Sequence, residues 1–167
     1  MYKRQDRYVA AVEMCEWADR LGFVVCVLSE HHGAEDGYLP SPLPLAAAIA
    51  ARTQTMRVQI AALVASFHDP LRLAEDIAVV DLISKGRVDI VVTNGYVASE
   101  FAMFDRALGG RVARTTEVVR TLRDAWTGEP FEFHGRTVRV TPRPAQPGGP
   151  PIARGAQPDQ PRSRRRP

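Results

Sequence analysis

A chain of 167 residues with 45% hydrophobic and 25% charged residues has the composition of an ordinary globular domain and enough length to bury one core. Its net charge of +3 is unevenly placed: residues 142–167 hold six Arg and one Asp, leaving residues 1–141 slightly acidic, with 16 Lys+Arg against 18 Asp+Glu. Two cysteines exclude a disulfide framework and a cysteine zinc cluster, and no apolar run approaches a membrane span. The charged start (Lys3, Arg4, Asp6, Arg7) lacks the apolar core of a signal peptide, so a reducing cytoplasm is the expected setting.

The first predicted element is a helix of about 15 residues, capped by Asp6, with Tyr8, Val12 and Cys15 on one face and Gly22 as its left-handed stop. Val24–Ser29 follows as a continuous apolar run, the pattern of a parallel strand covered on both faces. Cys15 and Cys26 read as small core hydrophobes within these two elements. The run ends in Glu30-His31-His32. Function in strand-and-helix folds gathers at the carboxyl ends of strands, so a carboxylate and two imidazoles arrive where a ligand would sit. A helix cap or a satisfied structural imidazole is equally compatible with such a pair.

A polar loop leads to Ser41-Pro42, a capping residue with Pro at the first helical position, and the helix runs to Arg52. Arg57–Val64 is the second predicted strand. His68-Asp69-Pro70 repeats the cap-then-Pro signature and opens a helix closing at Ser84-Lys85-Gly86. Val88–Val92 is the third strand, followed by the Thr93-Asn94-Gly95-Tyr96 loop and a helix from about Val112 to Trp126. A β-hairpin is expected at about 131–140, turning at His134-Gly135-Arg136. Strands alternating with helices over short connections imply a parallel sheet with right-handed crossovers, in a barrel or a doubly wound fold. No glycine fingerprint for a dinucleotide or a phosphate loop follows any strand.

From Pro142 onward the chain holds eight of its 13 prolines and closes on Arg162-Ser163-Arg164-Arg165-Arg166-Pro167. This composition predicts extended or disordered chain without a core, with residues 1–152 as the domain and 153–167 as an Arg/Pro-rich tail. A basic arm attracts nucleic acid by charge, but these Arg have no aromatic neighbour on which bases would stack, so no nucleic-acid partner is expected.

Five stretches share one order: Glu30-His31-His32-Gly33-Ala34-Glu35-Asp36-Gly37-Tyr38, Ser41-Pro42-Leu43-Pro44-Leu45, His68-Asp69-Pro70-Leu71-Arg72-Leu73-Ala74-Glu75-Asp76, Asp81-Leu82-Ile83-Ser84-Lys85-Gly86-Arg87, and Trp126-Thr127-Gly128-Glu129-Pro130-Phe131. Over roughly residues 5–152 they resemble the bacterial luciferase-like monooxygenases, flavin- or deazaflavin-dependent (β/α)8 barrels. The resemblance implies an α/β fold: a partial (β/α)8 TIM barrel of parallel strands and alternating helices with a hairpin insertion. It also implies a monooxygenase using reduced FMN and O2 on a small organic substrate. F420 is the alternative cofactor, moving the activity towards hydride transfer because a deazaflavin does not activate O2 in the same way.

By resemblance His31 is the catalytic histidine, an imidazole that takes and returns a proton, and Glu30 orients it or tunes it. A structural role, in subunit contact or loop capping, stands beside this for Glu30 and His32. Ala61-Ala62 matches a non-proline cis peptide packed against the flavin ring, and otherwise reads as small core residues. Thr93 and Asn94 stand where relatives often carry Gly-Arg-Gly; Asn94 keeps hydrogen bonding but loses the fixed positive charge. Arg111 matches a second arginine able to reach the flavin phosphate, or else a solvated helix start. Glu75 and Asp76 suit the first turns of a helix, and relatives pair subunits through the helices at 42–53 and 70–84, so a homo-oligomer is expected. No metal site is expected. A complete barrel of this kind needs eight strands and commonly about 250 residues, whereas only three strands and the entry to another at Pro150-Pro151-Ile152 are found. The expectation is a truncated copy with open sheet edges and weak flavin binding, or a non-catalytic remnant or partner subunit.

Overall fold

The computed structural model describes residues 4–155, with side chains from Asp6 onward. Its elements are α1 (Arg4–Arg20), β1 (Val25–Leu28), α2 (Pro42–Arg52), β2 (Arg57–Val64), a 3-10 turn (Ala65–Phe67), α3 (Pro70–Ser84), β3 (Val88–Thr93), α4 (Ala98–Met103), α5 (Arg111–Ala125), β4 (Phe131–Phe133), β5 (Arg136–Val138) and β6 (Ile152–Arg154). Four strands form one parallel sheet in the order β1-β2-β3-β6, and β4 pairs antiparallel with β5. This is the expected partial (β/α)8 barrel. In the hairpin, His134 (φ 49°) and Gly135 (φ 74°) both take left-handed backbone, the turn whose twist matches its flanking strands.

Local chemistry explains the helix bounds. Asp69 caps α3 through the Arg72 N–H at 2.9 Å, and Lys85 closes it in left-handed backbone. Ser41 precedes Pro42 as expected but makes no side-chain cap bond. The predicted cap at Asp6 is displaced because α1 starts at Arg4, which places Asp6 in the first turn near the positive end of the helix dipole.

One face of the sheet is packed by helices. Val58, Ile60, Val88 and Ile90 are fully buried against Ile49, Ile77, Leu122 and Trp126. The other face, the interior of a closed barrel, is open. This corrects the reading of Val24–Ser29 as covered on both faces: β1 is an edge strand whose Val25 and Val27 remain 41% and 56% exposed. Cys26 faces the packed side, its Sγ 3.4 Å from that of Cys15; burial pushes the Cys26 thiol up to about 12.

A second correction concerns the proline-rich segment after residue 142, which is ordered as far as Gly155. Gln146 donates from its backbone N–H and its amide to the fully buried carboxylate of Asp81, at 2.9 and 2.8 Å. Pro151 offers its carbonyl to Ile90 N–H, and β6 then pairs with β3 through Ile152, Ala153 and Arg154. Proline lacks an N–H but keeps its carbonyl, and this segment is held by the Pro151 carbonyl, the N–H and side-chain amide of Gln146, and the Gly155 N–H, which donates to the Val92 carbonyl. The strand entry expected at Pro150-Pro151-Ile152 is β6, the fourth strand of the sheet, and it includes Ala153 and Arg154 of the expected tail. Residues 156–167 of that tail lie outside the described residues.

The amino ends of the strands are tied by two charged groups. Arg87, at the entry to β3, donates to the carbonyls of Ala50, Thr53, Met56 and Ser84, closing the open ends of α2 and α3. Asp19 in α1 accepts N–H bonds from Gln54, Thr55 and Met56 at 2.5, 3.1 and 2.6 Å and the Thr55 hydroxyl at 2.7 Å. Those donors, the Gln54 N–H first, hold its carboxyl far below the usual carboxylate range against a smaller opposing effect of burial. A carboxyl whose folded value is lowered contributes stability in full above its unfolded value, and that contribution is lost as pH falls through the folded value. Asp19→Asn is therefore expected to cost about 1–2 kcal/mol at neutral pH and little once the carboxyl is protonated. Urea midpoints of the two proteins from about pH 7 down to about pH 2 check this; a constant gap across that range would refute it.

Candidate active site

With the amino ends of the strands committed to stability, the carboxyl ends are left for chemistry. Past β1 the chain presents Glu30, His31 and His32. Glu30 is only 3% exposed. Its Oε1 accepts Nε2–H from both His32 and His68, each at 3.0 Å, and its Oε2 accepts the Val64 N–H at 2.6 Å. A buried carboxylate is tolerated only with such compensation. The His32 ring stands edge-on to Phe67 and Phe104, its side chain 8% exposed, and its backbone N–H donates to the buried Glu100 at 3.0 Å.

His31 turns elsewhere. Its N–H donates to the Leu39 carbonyl at 3.0 Å, and its ring lies 5.0 Å from that of Tyr38. The Tyr38 hydroxyl is held by Ser29 Oγ at 2.7 Å, so the loop returns on itself and fixes the wall behind the imidazole. His31 lines a cleft of about 140 Å³ with Glu30, Ala62, Thr93, Tyr96 and Glu100. Among the described residues the hydrogen-bond partners of the Glu30 carboxylate are His32, His68 and the Val64 amide.

The Ala61–Ala62 peptide is cis, and the β2–β3 register shifts between Ala61 and Leu63. The two methyl side chains keep this ledge low beside the cleft. Thr93 also lines the cleft, whereas Asn94 lends its carbonyl to Ser66 Oγ at 3.0 Å. Gly95 (φ 73°) follows, where an added Cβ would lie 2.9 Å from Val64 and 3.0 Å from Phe101. That close approach throws Tyr96, 76% exposed, onto the cleft rim.

Arg111 stands apart, at the start of α5. Its Nη1 donates to the Leu108 carbonyl at 3.0 Å. The α5 N-cap is Gly110, which supplies no side-chain cap. Arg111 Nε, Arg114 Nη1 and Thr115 Oγ1 are buried without a hydrogen-bond partner among the described residues. Positions i, i+3 and i+4 share one helix face, so three orphaned polar atoms cluster at an uncapped positive helix end. That donor set suits a phosphoryl group.

The profile of the family described as luciferase-like monooxygenase matches residues 1–163. The chain belongs to the luciferase-like monooxygenase family. It is 30% identical over 159 residues to the oxygenase component of the flavin-dependent trigonelline monooxygenase of Acinetobacter baylyi, covering 89% of this chain and 43% of that protein. An F420-dependent glucose-6-phosphate dehydrogenase of Amycolatopsis mediterranei is 29% identical over 164 residues, covering 87% and 49%. The crystal structure of monooxygenase RslO1 from Streptomyces bottropensis superposes with a TM-score of 0.79 at 32% identity, covering 88% of this chain and 46% of that one. This luciferase-like chain thus spans about half the length of the relatives it matches. The size of its cleft agrees with that span, being below the roughly 300 Å³ at which small-molecule sites begin.

Of the residues singled out in the sequence, His31, Glu30, Ala62 and Thr93 meet at the cleft, with Ala61 beside them on β2. Arg111 and the Asn94 side chain do not line it. His68, Glu100, Arg114 and Thr115 were missed. The first two act over long sequence separations, and the last two read as the polar face of a helix.

Proposed function

We propose that this chain supplies the strand-end part of a flavin-dependent monooxygenase site, acting with reduced FMN and O2 on a small organic substrate. The observation that carries it is the placement of His31: the one imidazole of its pair that faces a cleft, beside the Ala61–Ala62 ledge and Thr93. Reduced flavin supplies the electrons and the O2 activation when bound. His31 accepts a proton at an imidazole nitrogen from the reacting group and returns it. Ala61 and Ala62 would leave room for the flavin ring, Thr93 would offer it a hydroxyl, and Arg111, Arg114 and Thr115 would hold the phosphate. Asn94 adds main-chain shape without charge.

F420 is the second reading, favoured by the F420-dependent relative, and would make the reaction a hydride transfer. A homo-oligomer through α2 and α3 agrees with Val79, Leu82 and Ile83, which stand 42–45% exposed along α3.

Fluorescence titration of the purified chain with FMN, riboflavin and F420 tests the reading. Weak but saturable FMN binding is expected, with riboflavin binding about ten-fold weaker for want of the phosphate. Arg111→Ala should bring FMN down to the riboflavin level and leave riboflavin unchanged. Equal binding of FMN and riboflavin by the wild-type chain would remove the phosphate assignment, and preference for F420 would transfer it to the second reading.

A further inference from the structure

We infer that His68 is a positioning residue for His31, acting through Glu30 as part of one polar brace with His32 and Glu100, built around the buried Glu30 carboxylate; this rests on the reading of His31 as the acid/base group. His31 itself is lightly held, by one backbone N–H and one ring contact. Its two neighbours in sequence are not. Glu30 and His32 turn to the same side, where they bond each other, while His31 between them turns to Tyr38.

Each bond of the brace reaches a different element. Through Oε2, Glu30 grips Val64 at the end of β2, beyond the register shift next to the ledge. Through Oε1 it grips His68, the residue before the α3 cap. His32 is gripped by Glu100 of α4 through its backbone N–H. Three elements thus converge on the two residues flanking a single imidazole and fix where its Cα stands relative to Ala62 and Thr93.

The chemistry is specific. An ionised carboxylate only accepts, so both imidazoles must present Nε2–H to the same oxygen. Packing alone would not demand this: a histidine serving as filler beside Phe67 could be replaced by leucine. With His68 removed, Oε1 keeps one donor of two, and the Val64 grip depends on a less well-fixed carboxylate.

NMR of the uniformly 15N-labelled 167-residue protein, without added flavin, tests the brace. His32 and His68 are both expected as Nε2–H tautomers. In His68→Leu, the His31 ring signals should lose their displacement by the Tyr38 ring, and the Val64 amide should exchange at least about ten-fold faster. In His68→Gln, whose amide N–H can reach the same oxygen, both signals should return. An Nδ1–H tautomer at either ring, or a His68→Leu protein with unaltered His31 and Val64 signals, overturns the inference; where the Leu variant does not fold, His68→Gln decides it, wild-type His31 and Val64 signals supporting it and altered ones overturning it. Unchanged turnover in His31→Ala with both tautomers in place would instead remove the acid/base reading and leave the brace standing.

Discussion

In turnover with reduced FMN and O2, His31→Ala is expected to lower kcat by about 10²- to 10⁴-fold, the usual range for a positioned general acid or base. FMN affinity should change by no more than about two-fold, because the residues proposed to hold the phosphate and ring lie on other elements. The structure separates the two imidazoles of the pair. His32 stands edge-on to Phe67 and Phe104 with its Nε2 on Glu30, and it does not line the cleft. His31 has its ring on the cleft, with no side-chain hydrogen bond of its own among the described residues. His32→Ala should accordingly lower the unfolding midpoint first and turnover only through that loss. Rapid-reaction measurement of product formation on both variants decides between them. A His31→Ala protein with wild-type kcat would return this residue to the structural role that its sequence also allowed.

Much of the frame was legible because its signals are local. Arg57–Val64 was read with both ends as observed, since an apolar run bounded by a helix end and a cap has no competing pattern. The Asp69-Pro70 cap and the Lys85-Gly86 stop rest on chemistry confined to one helix turn. The strand-end position of Glu30-His31-His32 is legible from the apolar run before it, whereas Ala61-Ala62 and Thr93 are singled out only by the resemblance. What was missed depends on contacts across the sequence. His68 meets Glu30 across 38 residues, and Gln146 meets Asp81 across 65, so neither bond leaves a trace in its own neighbourhood. Composition leaves the proline-rich segment after 142 extended or disordered, and does not show the few long-range bonds that hold extended chain against a core. α4 has only six residues, too few for helical periodicity to show, and it carries Glu100. The orphaned atoms of Arg114 and Thr115 look, in sequence, like any solvated helix face.

Gly149→Ala is expected to cost about 3–5 kcal/mol, among the largest single-residue effects in the chain. Gly149 stands at φ 89°, and a Cβ added there would lie 2.0 Å from Trp126 Cε3 and 2.5 Å from Cδ2. The indole cannot retreat: Trp126 is 1% exposed, packed among the main core, and its Nε1–H donates to the Ala74 carbonyl at 3.2 Å. Nor can the backbone easily move, because Gly149 N–H bonds the Gln146 carbonyl at 2.9 Å and Gln146 in turn holds Asp81. The strain therefore falls on the short path from Asp81 to β6, the strand that closes this side of the sheet. Gly148 supplies the control. It shares the left-handed backbone, at φ 76°, but has open space where a Cβ would go. Gly148→Ala should cost only about 1 kcal/mol, the conformational part alone. Urea midpoints of the two variants separate steric from conformational cost. Equal losses would mean that the Trp126 contact adds nothing, and that β6 docks without the close approach that makes glycine necessary at 149.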